Sequence, residues 1–80
     1  MVVYILRSES TGRYYTGSTV NLENRLREHN SGENKSTRRG RPWMVVHVEE
    51  VANRSEAYAL EKKIKARGAR RYFEEMRMAG

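Results

Sequence analysis

Apolar and polar positions divide the chain into segments of different period. Val2, Val3, Tyr4, Ile5 and Leu6 follow one another without helical spacing and are β-branched, aromatic or aliphatic, which predicts a strand over residues 1–7. A nearly unbroken apolar run belongs to a strand covered on both faces. Residues 8–12 (SESTG) make a polar turn ending in glycine, and residues 13–17 (RYYTG) resume as a second strand. Two short strands joined this way form an antiparallel hairpin. Asn21 has the chemistry of a helix N-cap, and Glu23 follows in the first turn, where the helix dipole favours an anion. That helix runs to about Asn30 and ends at Ser31-Gly32. Residues 33–42 (ENKSTRRGRP) are a basic loop and residues 43–51 (WMVVHVEEV) a third strand. Asn53 with Glu56 three positions on resembles a capping box and opens the longest helix, through about Arg67. Gly68 interrupts it, and residues 69–78 fit a last short helix. The order β-β-α-β-α-(α) predicts an α+β fold, a small, three-stranded, mainly antiparallel sheet flanked by helices.

Eighty residues make one domain, residues 1–80, with a core too small to leave any apolar segment unpacked. There are no cysteines, which excludes a disulfide scaffold and a cysteine-ligated zinc site. The opening apolar run meets Arg7 at once and is too short for an export signal or a membrane span, so a cytoplasmic location is expected. Charge changes the picture most. Sixteen Lys and Arg against ten Asp and Glu give +6, an excess that points to a polyanion, nucleic acid first and an anionic membrane second.

Polar side chains sit against two apolar stripes. In the first helix Leu22 and Leu26 mark the buried face, and at ~100° per residue Arg25 and His29 lie beside them, one turn apart. The ordinary reading is a snorkelling arginine whose stem covers apolar surface. In the second long helix Ala57, Leu60 and Ile64 mark the buried face, and Glu61 falls inside it. A carboxylate there is rare unless paired or metal-bound. An ion pair with Lys65 one turn on, or with Arg25 across the interface, would explain it without chemistry. Tyr14 and Tyr15 are strand neighbours and point to opposite faces, one of which Tyr4 shares. β-Propensity and packing account for three tyrosines in a hairpin; a phenol handling a proton at neutral pH needs electropositive neighbours.

Tyr4 in Val2-Val3-Tyr4, Tyr15-Thr16-Gly17 after a short turn, the segment Asn21 to Asn30 with Arg25 and His29, and Ser55-Glu56-Ala57 through Glu61 to Lys65 follow in one order. Together they resemble the GIY-YIG nuclease superfamily over residues 2–67. The likeness is greatest to its small stand-alone bacterial members of the UPF0213-like kind, related to the nuclease domain of UvrC and to Slx1-type nucleases. The resemblance implies catalytic roles for Tyr4, Tyr15, Arg25, His29 and Glu61. Glu61 would hold one Mg²⁺ or Mn²⁺, Arg25 would steady phosphate charge, and Tyr15 would be the general base, directly or through His29. Tyr4 would position the water or phosphate and is the alternative base. The first motif reads VVY, without its glycine; the second reads YTG, with Thr16 for isoleucine. Ser18 stands where some relatives carry lysine.

The activity implied is a metal-dependent endonuclease hydrolysing phosphodiester bonds in DNA, selective for branched or single-stranded structure, with a repair or processing role. A protein partner would supply further specificity. Lys35, Arg38, Arg39 and Arg41 would follow the DNA backbone. Trp43 either stacks on a base or is the largest core residue of the third strand, the ordinary case. The alternatives are a non-catalytic nucleic-acid-binding module on the same fold and a basic adaptor for a protein.

Overall fold

The computed structural model describes residues 1–79. Three strands, β1 (Val2–Ser8), β2 (Tyr14–Thr19) and β3 (Trp43–Glu50), form one sheet in the order β2-β1-β3. Three helices, α1 (Leu22–Ser31), α2 (Arg54–Arg67) and α3 (Ala69–Ala79), cover it, and a 3₁₀ turn (Arg38–Gly40) lies in the basic loop. Both pairings of β1 are antiparallel. The architecture is the α+β fold expected from the hydrophobic pattern. β2 extends two residues beyond the expected Gly17, because Val3 and Val2 at the start of β1 still pair with Ser18 and Thr19.

Central β1 divides the interior. Val3 and Ile5 pack with Ala57, Ile64 and Tyr72 beneath α2 and α3. Tyr4 and Leu6 point the other way, into a second cluster with Trp43, Leu22 and Leu26 beneath α1. Strand alternation therefore assigns consecutive residues of one run to two small cores, as an unbroken apolar strand requires. A bulge in β3 opposite Ile5 and Leu6 leaves Val46 unpaired. Val46 then packs in the α2/α3 cluster, while Val45 faces the α1 side.

The starts of α1 and α2 are capped as the sequence implies. Asn21 Oδ1 accepts from the Asn24 amide at 3.0 Å, and Asn53 Oδ1 accepts from the Glu56 amide at 2.9 Å. Glu56 reaches back to the Ala52 amide at 2.9 Å, one residue earlier than a regular capping box. α1 stops at Gly32, whose φ of 88° is left-handed. Among the described residues no helix is long and apolar enough to cross a membrane.

α3 is fixed to the sheet by a polar cluster. The Tyr72 hydroxyl donates to the Glu49 carboxylate, and His47 Nε2 lies 2.8 Å from the same oxygen. Burial pushes the Tyr72 phenol up to about 12, and its bond to Glu49 adds to the rise. For Glu49 burial acts upward, but the hydrogen bonds from Tyr72 and His47 outweigh it and hold the carboxyl below its ordinary 4.5. A depressed native carboxylate stabilises the fold above its unfolded pKa, and the contribution is lost as pH falls through the native value. Tyr72→Phe is accordingly expected to lower the unfolding free energy by about 1–2 kcal/mol at neutral pH. The difference should shrink once Glu49 is protonated; urea midpoints of the two proteins at about pH 7 and about pH 3 check this.

Candidate active site

The register of the hairpin creates the site. Tyr4 on β1 is paired with Gly17 on β2, and its ring lies across the glycine. A Cβ at Gly17 would stand 2.6 Å from the Tyr4 hydroxyl and 2.8 Å from Cζ, so the phenol reaches the sheet edge only because the residue is glycine. The hydroxyl meets His29 Nε2 at 3.0 Å. His29 is wholly buried, and its Nδ1 lies 2.8 Å from Thr37 Oγ1. Thr37 is itself buried and directs its hydroxyl to the Asn34 carbonyl, 3.5 Å away. In the tautomer with the proton on Nδ1, Thr37 Oγ1 accepts from His29 Nδ1–H. That tautomer leaves the Nε2 lone pair for the Tyr4 O–H.

The electrostatics agree with that direction. Burial lowers the His29 pKa below 6.5, the Arg25 guanidinium lowers it further, and Glu28 only partly offsets them. His29 is therefore neutral at pH 7. Burial drives the Tyr4 phenol well above its ordinary value, and Tyr15 adds to the rise. Arg25 pulls it down, while Glu61 and Glu28 push it up. The charges of Arg25 on α1 and Glu61 on α2 thus act on one hydroxyl carried by β1.

Glu61 reaches that neighbourhood around the edge strand. Its Oε2 accepts from Ser18 Oγ at 2.6 Å, and Ser18 is the residue after Gly17. Lys65 Nζ stands 3.5 Å from Oε1, the ion pair that the helical spacing suggests. The alternative pair fails, because Arg25 Nε lies 3.6 Å from Glu28 Oε1 instead, with the arginine side chain 44% exposed. An exposed contact of that length binds weakly, so the guanidinium is free to turn to an anion.

Tyr15 lies on the Tyr4 side of the sheet. Its ring centroid is 4.9 Å from that of His29, edge to face, and 6.3 Å from that of Trp43. Trp43 is core, not a stacking platform: it is buried, and its Nε1–H donates to the Thr37 carbonyl at 2.7 Å. Beside Tyr15 opens a cleft of about 630 Å³ lined by Arg13, Lys35, Thr37 and Arg39 among others. The four basic loop residues separate here. Lys35 and Arg39 face this cleft, and Arg39 also lines, with Arg38 and Arg41, a second cleft of about 580 Å³. Arg38 Nε instead bonds the Gly32 carbonyl at 3.0 Å, and Arg41 Nε bonds the Arg38 carbonyl at 2.9 Å.

The sequence profile described as the GIY-YIG catalytic domain matches residues 1–73. The chain belongs to the GIY-YIG family. A UPF0213 protein of Syntrophus aciditrophicus is 48% identical over 65 residues, covering 79% of this chain and 74% of its own. A UPF0213 protein of Oceanobacillus iheyensis is 45% identical over 64 residues, covering 79% and 73%. A structure-specific endonuclease subunit SLX1 homolog of Leishmania infantum is 45% identical over 51 residues, covering 55% of this chain and 7% of its own length. No solved structure matches.

For this GIY-YIG domain the resemblance implies one divalent cation. Among the described residues no three His, Cys, Asp or Glu side chains gather into a metal-holding group, so an all-protein, zinc-type centre does not fit. The donor set here is one carboxylate, its side chain 20% exposed, already held by a serine hydroxyl. That fits a hard cation that keeps most of its waters and borrows phosphate oxygens.

Sequence reasoning missed Thr37, which sits in a polar run and carries no periodic signal, and it treated Ser18 only as a missing lysine. It also missed Asn30. That side chain bridges the Trp43 backbone, accepting from N at 2.6 Å and donating to O at 3.1 Å, which fixes α1 against β3.

Proposed function

We propose that this GIY-YIG protein is a metal-dependent endonuclease that hydrolyses phosphodiester bonds in DNA, working in the cytoplasm in repair or processing. The observation that carries the reading is the Tyr4 phenol hydrogen-bonded to the buried His29, with the Glu61 carboxylate held by Ser18, next to the Gly17 that faces Tyr4.

In this reading Tyr4 and His29 handle the proton. The phenol is too weakly acidic to stand as phenolate, so it acts by relay. Its oxygen accepts a proton from the attacking water while its own proton passes to His29 Nε2. Thr37 holds the imidazole in the tautomer that can receive it. The hydrogen bond to His29 favours Tyr4 over Tyr15 for this step. Tyr15, whose hydroxyl has no protein hydrogen bond among the described residues, is left to position the water or the phosphate. Arg25 swings from its loose pair with Glu28 to the non-bridging oxygens, where charge grows in the transition state. Glu61 would hold Mg²⁺ or Mn²⁺, which supplies charge neutralisation at the phosphate and the leaving oxygen.

Lys35 and Arg39 support the duplex or strand by phosphate contact along the Tyr15 cleft. Lys35→Ala with Arg39→Ala is expected to reduce the slope of log K against log salt by about 1–2. Fluorescence anisotropy of a labelled oligonucleotide over a salt series measures it, and an unchanged slope would remove these residues from the interface.

The reading itself is tested with supercoiled plasmid, flap, single-stranded and RNA substrates in Mg²⁺ and in Mn²⁺. Metal-dependent nicking of DNA, greatest on branched or unpaired substrates, is the expected result. Salt-sensitive binding without cutting at any metal concentration would overturn it in favour of a non-catalytic binding module.

A further inference from the structure

The face of α2 that carries Glu61 also carries an aromatic side chain that the fold does not use. Tyr58 is 67% exposed, its hydroxyl has no hydrogen-bond partner among the described residues, and it stands one helical turn before Glu61. With Glu61, Lys62, Lys65 and Ala66 it lines a shallow cavity of about 500 Å³. Positions 58, 61, 62 and 65 are spaced i, i+3, i+4 and i+7, so they form one contiguous stripe. A single exposed aromatic needs no explanation of its own. This one lies in the same hollow as the candidate metal-holding carboxylate, with two lysines further along the same stripe.

We propose that Tyr58 is a stacking platform for an unpaired nucleotide adjoining the scissile phosphate, with Lys62 holding that nucleotide's own phosphate. The proposal rests on the nuclease reading of Glu61 and names the substrate feature that this end of the site selects. Every base offers a π-face, so an aromatic platform recognises an unpaired base without regard to sequence. A base stacked inside a duplex cannot present that face. A phosphate beside an ammonium supplies the sequence-independent part of the attraction. Lys65 is already paired with the Glu61 carboxylate, whereas Lys62 has no ion-pair partner among the described residues, so Lys62 is the cation of the stripe left for a phosphate. Tyr58 and Lys62 together match the two halves of a nucleotide, a flat apolar base and an anionic phosphate. A membrane or an acidic peptide would not call for an isolated ring at this spacing from the metal-holding carboxylate.

The test uses the full chain without divalent metal, so binding is read apart from cutting. The probes are a flap DNA with 2-aminopurine in its unpaired arm and a blunt duplex of the same length. The parent is expected to quench the unpaired 2-aminopurine. Tyr58→Ala is expected to lose that quenching and bind the flap about 10-fold more weakly, with blunt-duplex binding unchanged and Tyr58→Phe close to the parent. Lys62→Ala should weaken flap binding and reduce its salt dependence, yet keep the quenching. Flap binding and quenching by Tyr58→Ala equal to the parent's would overturn the proposal and leave this face to a protein partner. Equal weakening on flap and duplex would overturn it too, since it removes the preference for unpaired bases. Cutting is read separately, in Mg²⁺ and in Mn²⁺: a parent that cuts there while Tyr58→Ala binds normally sinks this inference alone, and a parent that quenches but cuts with neither metal sinks the nuclease reading.

Discussion

Tyr4→Phe is expected to slow DNA cleavage by about 10²–10⁴-fold, the usual contribution of a positioned proton-transfer group. The substitution removes one oxygen and keeps the ring that fills the α1-side core beside Leu6 and Trp43. It leaves His29 Nε2 buried without a partner, which costs about 1–3 kcal/mol of stability. The circular dichroism spectrum should therefore remain that of a folded domain while the rate collapses. The pH profile separates a proton relay from mere packing. His29 titrates below its ordinary 6.5 because it is buried and faces Arg25. The parent should accordingly hold its rate through neutral pH and lose it only on acidification below that value, as the imidazole is protonated and can no longer accept. His29→Ala should lack this acid limb. The same shift acts on stability. Above 6.5 both folded and unfolded histidine are neutral; below it the unfolded chain binds a proton that the buried ring does not, so unfolding becomes easier as pH falls. Single-turnover rates and urea midpoints across pH read the two effects separately.

Glu61→Ala is expected to lower cleavage by at least about 10²–10³-fold, since in the proposed mechanism it removes the carboxylate that would hold the cation. Stability should fall by about 1–3 kcal/mol, because the part-buried carboxylate accepts from Ser18, while its pair with the exposed Lys65 adds little. Glu61→Gln should be similarly inactive, which assigns the effect to charge rather than shape. Mn²⁺ binding, followed by electron paramagnetic resonance in the presence of uncleaved DNA, should weaken in both variants. Normal cleavage by either variant would free Glu61 from the chemistry and return it to a helix-surface ion pair.

Much of the fold is written in local pattern. The five apolar residues of β1 imply a strand with a core on each face, and both cores are present. Asn21 and Asn53 mark helix starts because a cap needs only a short polar side chain and a free amide nearby. The site is legible where a polar group interrupts an apolar stripe, as Glu61 and His29 do. Arg25 and His29, adjacent on the helical wheel, have different fates: His29 is wholly buried, whereas the Arg25 side chain is 44% exposed. Helical phase alone does not tell them apart, because the difference comes from the loop packed over one of them. Thr37 is that loop's contribution. Its role depends on contacts with His29 eight residues away and with Trp43 across the loop, which no periodicity encodes. The turning of Arg38 and Arg41 Nε to backbone carbonyls likewise depends on the 3₁₀ turn, not on charge. Gly17 is visible as a motif letter, but its reason, room for the Tyr4 phenol, needs the cross-strand register.

If Tyr4 on β1 and Glu61 on α2 serve one reacting phosphate, their substitutions must not act independently. A double-mutant cycle on single-turnover plasmid nicking measures this, with the parent, Tyr4→Phe, Glu61→Ala and the double variant compared at saturating Mn²⁺. Groups acting as a unit lose little more together than the worse one loses alone, so the double variant should cut about as slowly as the slower single variant. Rate reductions that multiply as independent factors, or a parent that cuts no DNA at all, would show that the two side chains do not share a reacting centre.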